Sequence, residues 1–274
     1  MSLTNKIDFA VVFSVKNANP NGDPLNGNRP RTNYSGTGEV SDVCIKRKIR
    51  NRLMQEGQDV FVQSDDNKLD ECKSLRERAE TVIVKNKVPS ENAKLACEKW
   101  FDVRAFGQVF AYSGEKKGAG VSIPIRGPVS IHTAFSLDKV DITSTQITKS
   151  ASGEGDGSKK GSDTMGMKHR VDDAVYVFYG SMNPQLASKT GFSDTDAGVI
   201  KEILPKLFEN DASSARPEGS MEVLKVIWWQ HNCPHGQYSS AKVHRSLAVN
   251  LDGTVDIGKL EGLEGLDAER IDGF

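Results

Sequence analysis

Four short β-type runs, separated by two amphipathic stretches, constrain this chain more than any other feature. The first, IDFAVVFSV (7–15), is apolar, β-branched and aromatic, and Asn-rich turn chemistry follows it, which predicts a buried strand. SDVCIKRKIRNRLMQEG (41–57) predicts a helix: Ser41 is placed to cap it, Asp42 sits in its first turn and Gly57 marks its stop. Ile45, Ile49 and Leu53, at spacing four, give that helix an inward stripe. VSIHTAFSL (129–137) alternates Val129, Ile131, Thr133, Phe135 and Leu137 on one face, and DAVYVFYG (173–180) reads as the next strand. SDTDAGVIKEILPKLFEND opens on Ser193 with Asp196 three residues on, a capping-box pattern, and Pro205 is expected to kink or shorten the helix. Its stripe is Val199, Ile200, Ile203, Leu204 and Leu207. MEVLKVIWWQ (221–230) supplies the last strand, with Trp228 and Trp229 read as core and sheet-face aromatics.

Residues 66–112 read as a helical insertion between these runs. NKLDECKSLRERAETVIV carries a stripe at Leu69, Cys72, Leu75 and Ala79, and SENAKLACEKW is expected to start at a Ser90 cap. DVRAFGQVFAY sets Phe106 against Val109 and Phe110 at helical spacing, before Pro and Gly break the pattern in GAGVSIPIRGP. With the insertion set aside the order is β-α-β-β-α-β. That order predicts an α+β fold of the ferredoxin-like, RRM-like kind, an antiparallel sheet with two helices on one face.

The first strand and first helix are joined by an unusual segment. From Asn17 to Asn33 there are six Asn, three Pro, two Gly and two Arg, and Leu25 is the only sizeable apolar side chain. Such a segment cannot offset its ordering cost by burying apolar surface, and long connections of this kind are functional or disordered. The basic helix follows directly. Residues 29–52 hold Arg29, Arg31, Lys46, Arg47, Lys48, Arg50 and Arg52 against Glu39 and Asp42, whereas residues 251–274 hold seven acids against Lys259 and Arg270. The net charge of −1 therefore conceals a basic segment and an acidic tail, a distribution suited to touching phosphates in one place and proteins in another.

Composition excludes several classes. No apolar run approaches the roughly 18 residues of a membrane span. The N-terminal MSLTNKIDFAVVFSVK has Asp8 inside its apolar run and reads as a strand and not as a signal peptide. Cysteines 44, 72, 97 and 233 form no CxxC pair, so reduced thiols in a cytoplasmic protein are expected.

Each candidate motif has a plain reading beside it. The basic helix is either a solvated face with Lys/Arg near its C-terminal end or, with Arg29 and Arg31, a cationic stretch for backbone phosphates. SASGEGDGSKKGSDTMGMKHR (150–170), with Lys149, Lys159, Lys160, Lys168, His169 and Arg170 in and beside it, is either a linker or a finger closing over nucleic acid. In the second case Met165 or Met167 is an apolar wedge between bases. His231, Cys233 and His235 in HNCPHG match no standard zinc spacing and read as a turn. Asp23 is the only carboxylate between Lys16 and Gly38 and reads as turn chemistry. The aromatic consensus with which RNA recognition motifs stack bases is missing.

Several long segments, in order, resemble the backbone-subunit family of type I-C CRISPR Cascade complexes: NPNGDPLNGNRPR, SDVCIKRKIRN, WFDVRAFGQVFA, VSIPIRGPVSIHTAFS, DTMGMKHRVDDAVYVFYGSMNP and KTGFSDTDA. The resemblance implies a ferredoxin-like palm (1–57, 113–137 and 171–274), helical fingers (58–112) and a thumb hairpin (138–170). It implies a CRISPR RNA-binding protein that stacks head to tail with copies of itself in a helical filament along the guide RNA. The guide is thereby presented for pairing with target DNA, beside a Cascade large subunit and an RNA-processing subunit. It further implies no enzymatic activity, no catalytic residue, no metal and no cofactor. The RNA contacts it implies are Asn21, Arg29, Arg31, Lys46, Arg47, Lys48, Arg50, Lys168, His169 and Arg170, with Met165 or Met167 as the thumb wedge. The Asn-rich loop would border the RNA groove and be ordered by RNA and a neighbouring subunit. Related type III backbones cleave target RNA with an aspartate in this loop, so the competing reading is metal-dependent RNA cleavage through Asp23. A third is an RNA-binding monomer that never polymerises.

Overall fold

A computed structural model of the chain describes residues 1–84, 88–112, 121–148, 165–257 and 263–274. β1 (Ile7–Ala18) leads into a small hairpin, β2 (Gly22–Asp23) and β3 (Arg29–Pro30), then β4 (Thr37–Val40) and α1 (Asp42–Gln55). Helices α2 (Leu75–Glu80), α3 (Pro89–Lys99) and α4 (Phe101–Phe106) and the hairpin β5 (Gly107–Tyr112) and β6 (Val121–Arg126) form the insertion. β7 (Val129–Ile131), β8 (Ala134–Lys139), β9 (Ile142–Thr148) and β10 (Met165–Met182) follow. The chain closes with α5 (Pro184–Thr190), α6 (Asp194–Ile203), β11 (Met221–Gln230), α7 (Ser240–His244), β12 (Leu247–Val249), β13 (Val255–Ile257) and β14 (Ala268–Asp272).

The architecture is mixed α+β around one antiparallel sheet in the order β14-β11-β1-β10-β8-β4, with β7 and β9 also paired to β10. β1 lies at its centre and Ile7–Val15 are buried on both faces, which is why that run is apolar at consecutive positions. On one face Phe9, Val11, Phe13 and Val15 meet Ile45, Ile49 and Leu53 of α1 and Ala197, Ile200 and Ile203 of α6. On the other, Ala10, Ile227 and Trp229 are covered by Val243, Leu247 and Leu266 of the C-terminal segment. Trp228 stacks on Phe9 with ring centroids 5.6 Å apart, so both tryptophans serve the core.

Local signals act as the sequence predicts at α1 and α6. Ser41 Oγ accepts from the Cys44 N–H, and Ser193 and Asp196 form a reciprocal capping box. The α6 helix ends at Ile203, with Leu204–Lys206 continuing as a 3-10 turn around Pro205. Elsewhere the structure differs. The segment 67–74 is not helical, and α3 starts at Pro89 after Val88 with no Ser90 cap. Residues 107–112 form a strand because Gly107 adopts φ +79° against the Ile125 carbonyl, where a Cβ would lie 2.4 Å away. Phe110 thereby joins a second core with Phe61, Trp100, Val103 and Ile123, and a boundary at 112 would divide the hairpin that builds it. The alternation of 129–137 breaks between β7 and β8. Ala134 and Ser136 point inward and Phe135 is 43% exposed, against the expected face.

Asp8 is the buried exception inside β1. Its Oδ2 is 2.9 Å from His231 Nε2 and 3.3 Å from Lys6 Nζ, and its Oδ1 lies 3.5 Å from His244 Nε2. His231 Nδ1 accepts from the Gln237 N–H at 2.9 Å, so its Nε2 carries the proton donated to Asp8. Burial alone would raise the Asp8 pKa, but the bond from His231, with His244, Ser240 and Lys6 close by, outweighs it and holds the carboxyl below the usual range. A folded pKa below the unfolded value of about 3.9 stabilises the fold above that pH, and the stabilisation is lost as pH falls through the folded value. Asp8→Asn should therefore lower stability at pH 7 by about 2 kcal/mol or more. The gap to the parent chain should close in acid, as read from urea-unfolding midpoints across pH.

Candidate nucleic-acid interface

Hydrogen bonds within the Asn-rich loop and from it to α1 hold its backbone. Asp23 caps the 3-10 turn Pro24–Asn26 by accepting from the Leu25 N–H at 3.1 Å, and Gly27 and Asn28 take positive φ to close it. Asn19 is buried and donates through Nδ2 to the Asn28 carbonyl at 2.7 Å. Asn21 Oδ1 accepts from both the N–H and the hydroxyl of Ser41, each at 3.0 Å, and so ties the loop to the start of α1. Asn therefore recurs because its short amide completes turns and tolerates left-handed backbone.

This loop meets a second element. β9 and β10 pair from Met165↔Thr148 to Val171↔Ile142, forming the arms of a hairpin; residues 149–164, including Lys149, Lys159 and Lys160, lie outside the described residues. Arg29 Nη1 donates to Ser144 Oγ at 2.8 Å, and the same hydroxyl lies 2.8 Å from His169 Nδ1. Directly opposed residues share a sheet face. Met165, Met167 and His169 therefore lie on the face that meets the loop, with Lys168 and Arg170 on the opposite one. Both methionines are exposed, as are Lys168 and Arg170, the latter 3.3 Å from Asp172. Ser144, the residue joining loop and hairpin, was not singled out by sequence reasoning; its partners lie 115 and 25 positions away.

The α1 cations divide into two sets. Lys46 is partly exposed and pairs with Asp42 one turn earlier at 3.0 Å. Lys48 and Arg52 are buried, Lys48 against Asp211 and Arg52 against Glu56. Arg47 donates to the Val62 carbonyl at 2.7 Å, and burial, aided by the Arg50 charge, lowers its pKa. Arg50 donates to Asp102 at 2.8 Å and lies over the Phe106 ring. Asp102 is 1% exposed and also accepts the Phe61 and Val62 N–H groups at 2.7 and 3.1 Å, so this one carboxylate fastens the insertion to α1. Arg31 lies 3.5 Å from Asp23 and stays partly open to solvent.

HNCPHG is a turn: the Gly236 N–H donates to the Cys233 carbonyl, and both ring nitrogens of His231 are already engaged. His235 faces outward to Gln185. All four cysteines are free, and burial pushes the Cys97 thiol up to about 11. In the acidic tail, Glu269 and Asp272 pair with Lys201 and Lys225 of the same chain. No helix among the described residues is long and apolar enough to cross a membrane.

Removing Arg50 leaves the Asp102 charge buried without its ionic partner. Arg50→Ala should cost about 3–5 kcal/mol. Pairing it with Asp102→Asn should recover part of that loss in a chemical-unfolding double-mutant cycle.

The sequence pattern of the family described as "CRISPR-associated protein Cas7" matches residues 5–263. A relative described in the same words, from Haloferax volcanii, is 23% identical over 249 residues, covering 82% of this chain and 71% of that one. Among solved structures, a chain of a "CRISPR RNA-guided surveillance complex" aligns over 91% of this chain and 77% of its own with TM-score 0.48 and 17% identity. Another, from a "CRISPR RNA-guided surveillance complex, pre-nicking", aligns over 82% and 78% with TM-score 0.46 and 13% identity. The family match spans nearly the whole chain, and the chain belongs to the CRISPR-associated Cas7 family.

Proposed function

We propose that this chain is the CRISPR RNA-binding backbone subunit of a type I-C Cascade complex, polymerising along the guide and presenting it to target DNA. The observation that carries the reading is a juxtaposition in a chain of this family. The Asn-rich loop, carrying the part-exposed Arg29 and Arg31, meets the β9–β10 hairpin at one end of the sheet; Lys168 and Arg170 stand exposed on the hairpin's other face, and Lys46 lies in the first turns of the adjoining α1. In this reading β11-β1-β10-β8, with α1 and α6 on one face, is a ferredoxin-like palm. The insertion is the fingers, the hairpin is the thumb, and Met165 or Met167 is the wedge.

The chemistry asked of the site is modest. Exposed guanidinium and ammonium groups neutralise phosphates without reading bases, and specificity comes from pairing between guide and target. A guide held with its bases free loses less entropy when it pairs. The reading includes a Cascade large subunit, an RNA-processing subunit and a cytoplasmic setting, and it assigns the chain no enzymatic step. Asp23 supports that assignment through what it does hold, the Leu25 N–H and Arg31.

Expression with a CRISPR array and partner subunits, followed by sizing of RNA retained in high salt, tests the proposal. A large assembly whose guide is protected in fixed steps is expected. An RNA-free monomer in the presence of the array would overturn the backbone role, and one uniform short footprint would favour a non-polymerising binder. Alanine at Arg29, Arg31, Lys46, Lys168 or Arg170 should each reduce the slope of log affinity against log salt by about 0.7. A metal-dependent RNA cut abolished by Asp23→Ala, with assembly intact, would instead make the chain an enzyme.

A further inference from the structure

We propose that Tyr34 is a stacking platform for an unpaired base of the bound RNA; the proposal rests on the RNA-binding reading above. Among the described residues Tyr34 is fully exposed and its ring has no partner. The turn that carries it is nonetheless held firmly. Asn33 Oδ1 accepts from the Ser35 N–H at 3.0 Å, the Ser35 hydroxyl at 2.8 Å and the Thr37 N–H at 3.0 Å. The Asn33 N–H donates to the Thr37 carbonyl at 2.9 Å, and Gly36 closes the turn at φ +87°. The next strand is pinned in turn. The Gly38 N–H donates to Ser136 Oγ at 2.8 Å, and a Cβ on Gly38 would lie 2.2 Å from the Tyr176 hydroxyl.

A ring presented on fixed backbone, burying nothing of its own chain, is preorganised for something outside it. Its position says what. β4 starts at Thr37 opposite Lys139, at the sheet end where β9 begins and where Arg29 reaches Ser144. Thr32 bridges to Gly38, and the Glu39 N–H donates to the Arg31 carbonyl at 2.9 Å, which sets Tyr34 three residues beyond a part-open arginine. The carboxylates of this corner are Asp23, held by Arg31, together with Glu39, Asp138, Asp141 next to Val140, and Asp172, which accepts from the Thr143 hydroxyl. An exposed aromatic ring in a segment that also carries a part-open arginine is a combination that takes single-stranded nucleic acid. Stacking is also indifferent to base identity, as a chain that accepts any guide sequence requires.

The test uses the full chain bound to single-stranded RNA carrying iodouridine at successive positions. Irradiation followed by peptide mass spectrometry should place an adduct on Tyr34. Tyr34→Phe should keep parental affinity, and Tyr34→Leu should weaken it about tenfold. That loss should vanish on RNA made abasic at the crosslinking position. Because the ring touches nothing in its own chain, melting temperatures of the variants should match the parent, which separates lost stacking from lost folding. Parental affinity in Tyr34→Leu with no Tyr34 adduct, while Arg31→Ala still weakens binding, would overturn the assignment and leave the RNA reading standing. A parent chain that binds no RNA would end both.

Discussion

β1 is hydrogen-bonded along both edges, to β10 and β11, and covered on both faces, so the main sheet, α1, α6 and the C-terminal segment are placed by how they pack on this strand. Between Ile7 and Val15 the strand has no side chain facing water and no free ladder edge, and such a run is apolar at consecutive positions. The one charged departure in the buried run, Asp8, is met by His231 and His244 from the C-terminal segment. The same contact holds that segment on the second face of the sheet. A buried charge thus does positional work here that an apolar residue would do without direction.

The α1 helix shows why a count of basic residues is a poor map of a cationic surface. Of its five Lys and Arg side chains, Lys48, Arg50 and Arg52 are nearly enclosed and ion-paired, and Arg47 is spent on a carbonyl. What looked like a continuous phosphate-binding stripe is largely the mortar between α1, the insertion and the 211–216 loop. The cations left open come mostly from the loop and the hairpin arms.

How much of this was legible in the sequence follows from the range of each interaction. The bounds of β11, the caps of α1 and α6 and the halt at Pro205 all depend on neighbours within a few residues, and each was readable. Several misreadings arose where a distant partner decided. Phe106, Val109 and Phe110 have helical spacing, yet Gly107 and the returning strand β6 draw the chain into a hairpin. The same limit hid the partners of Arg50 and Lys48, at Asp102 and Asp211, and the Ser144 hydroxyl between loop and hairpin. The Asn-rich loop has little apolar surface, as its sequence says, and its amides bond within the loop and to Ser41 at the α1 cap, partners that composition does not name.

β10 runs unbroken from the hairpin into the core, pairing with β1 on one side and with β9, β8 and β7 in turn on the other. Its pleat therefore transmits orientation along its whole length. Gaining or losing a single residue between Val171 and Tyr176 would exchange the hairpin faces, swinging Met165 and Met167 away from the loop and Lys168 and Arg170 toward it. Length changes in this strand are viable only in pairs, a parity rule that the short exposed turns elsewhere in the chain do not impose.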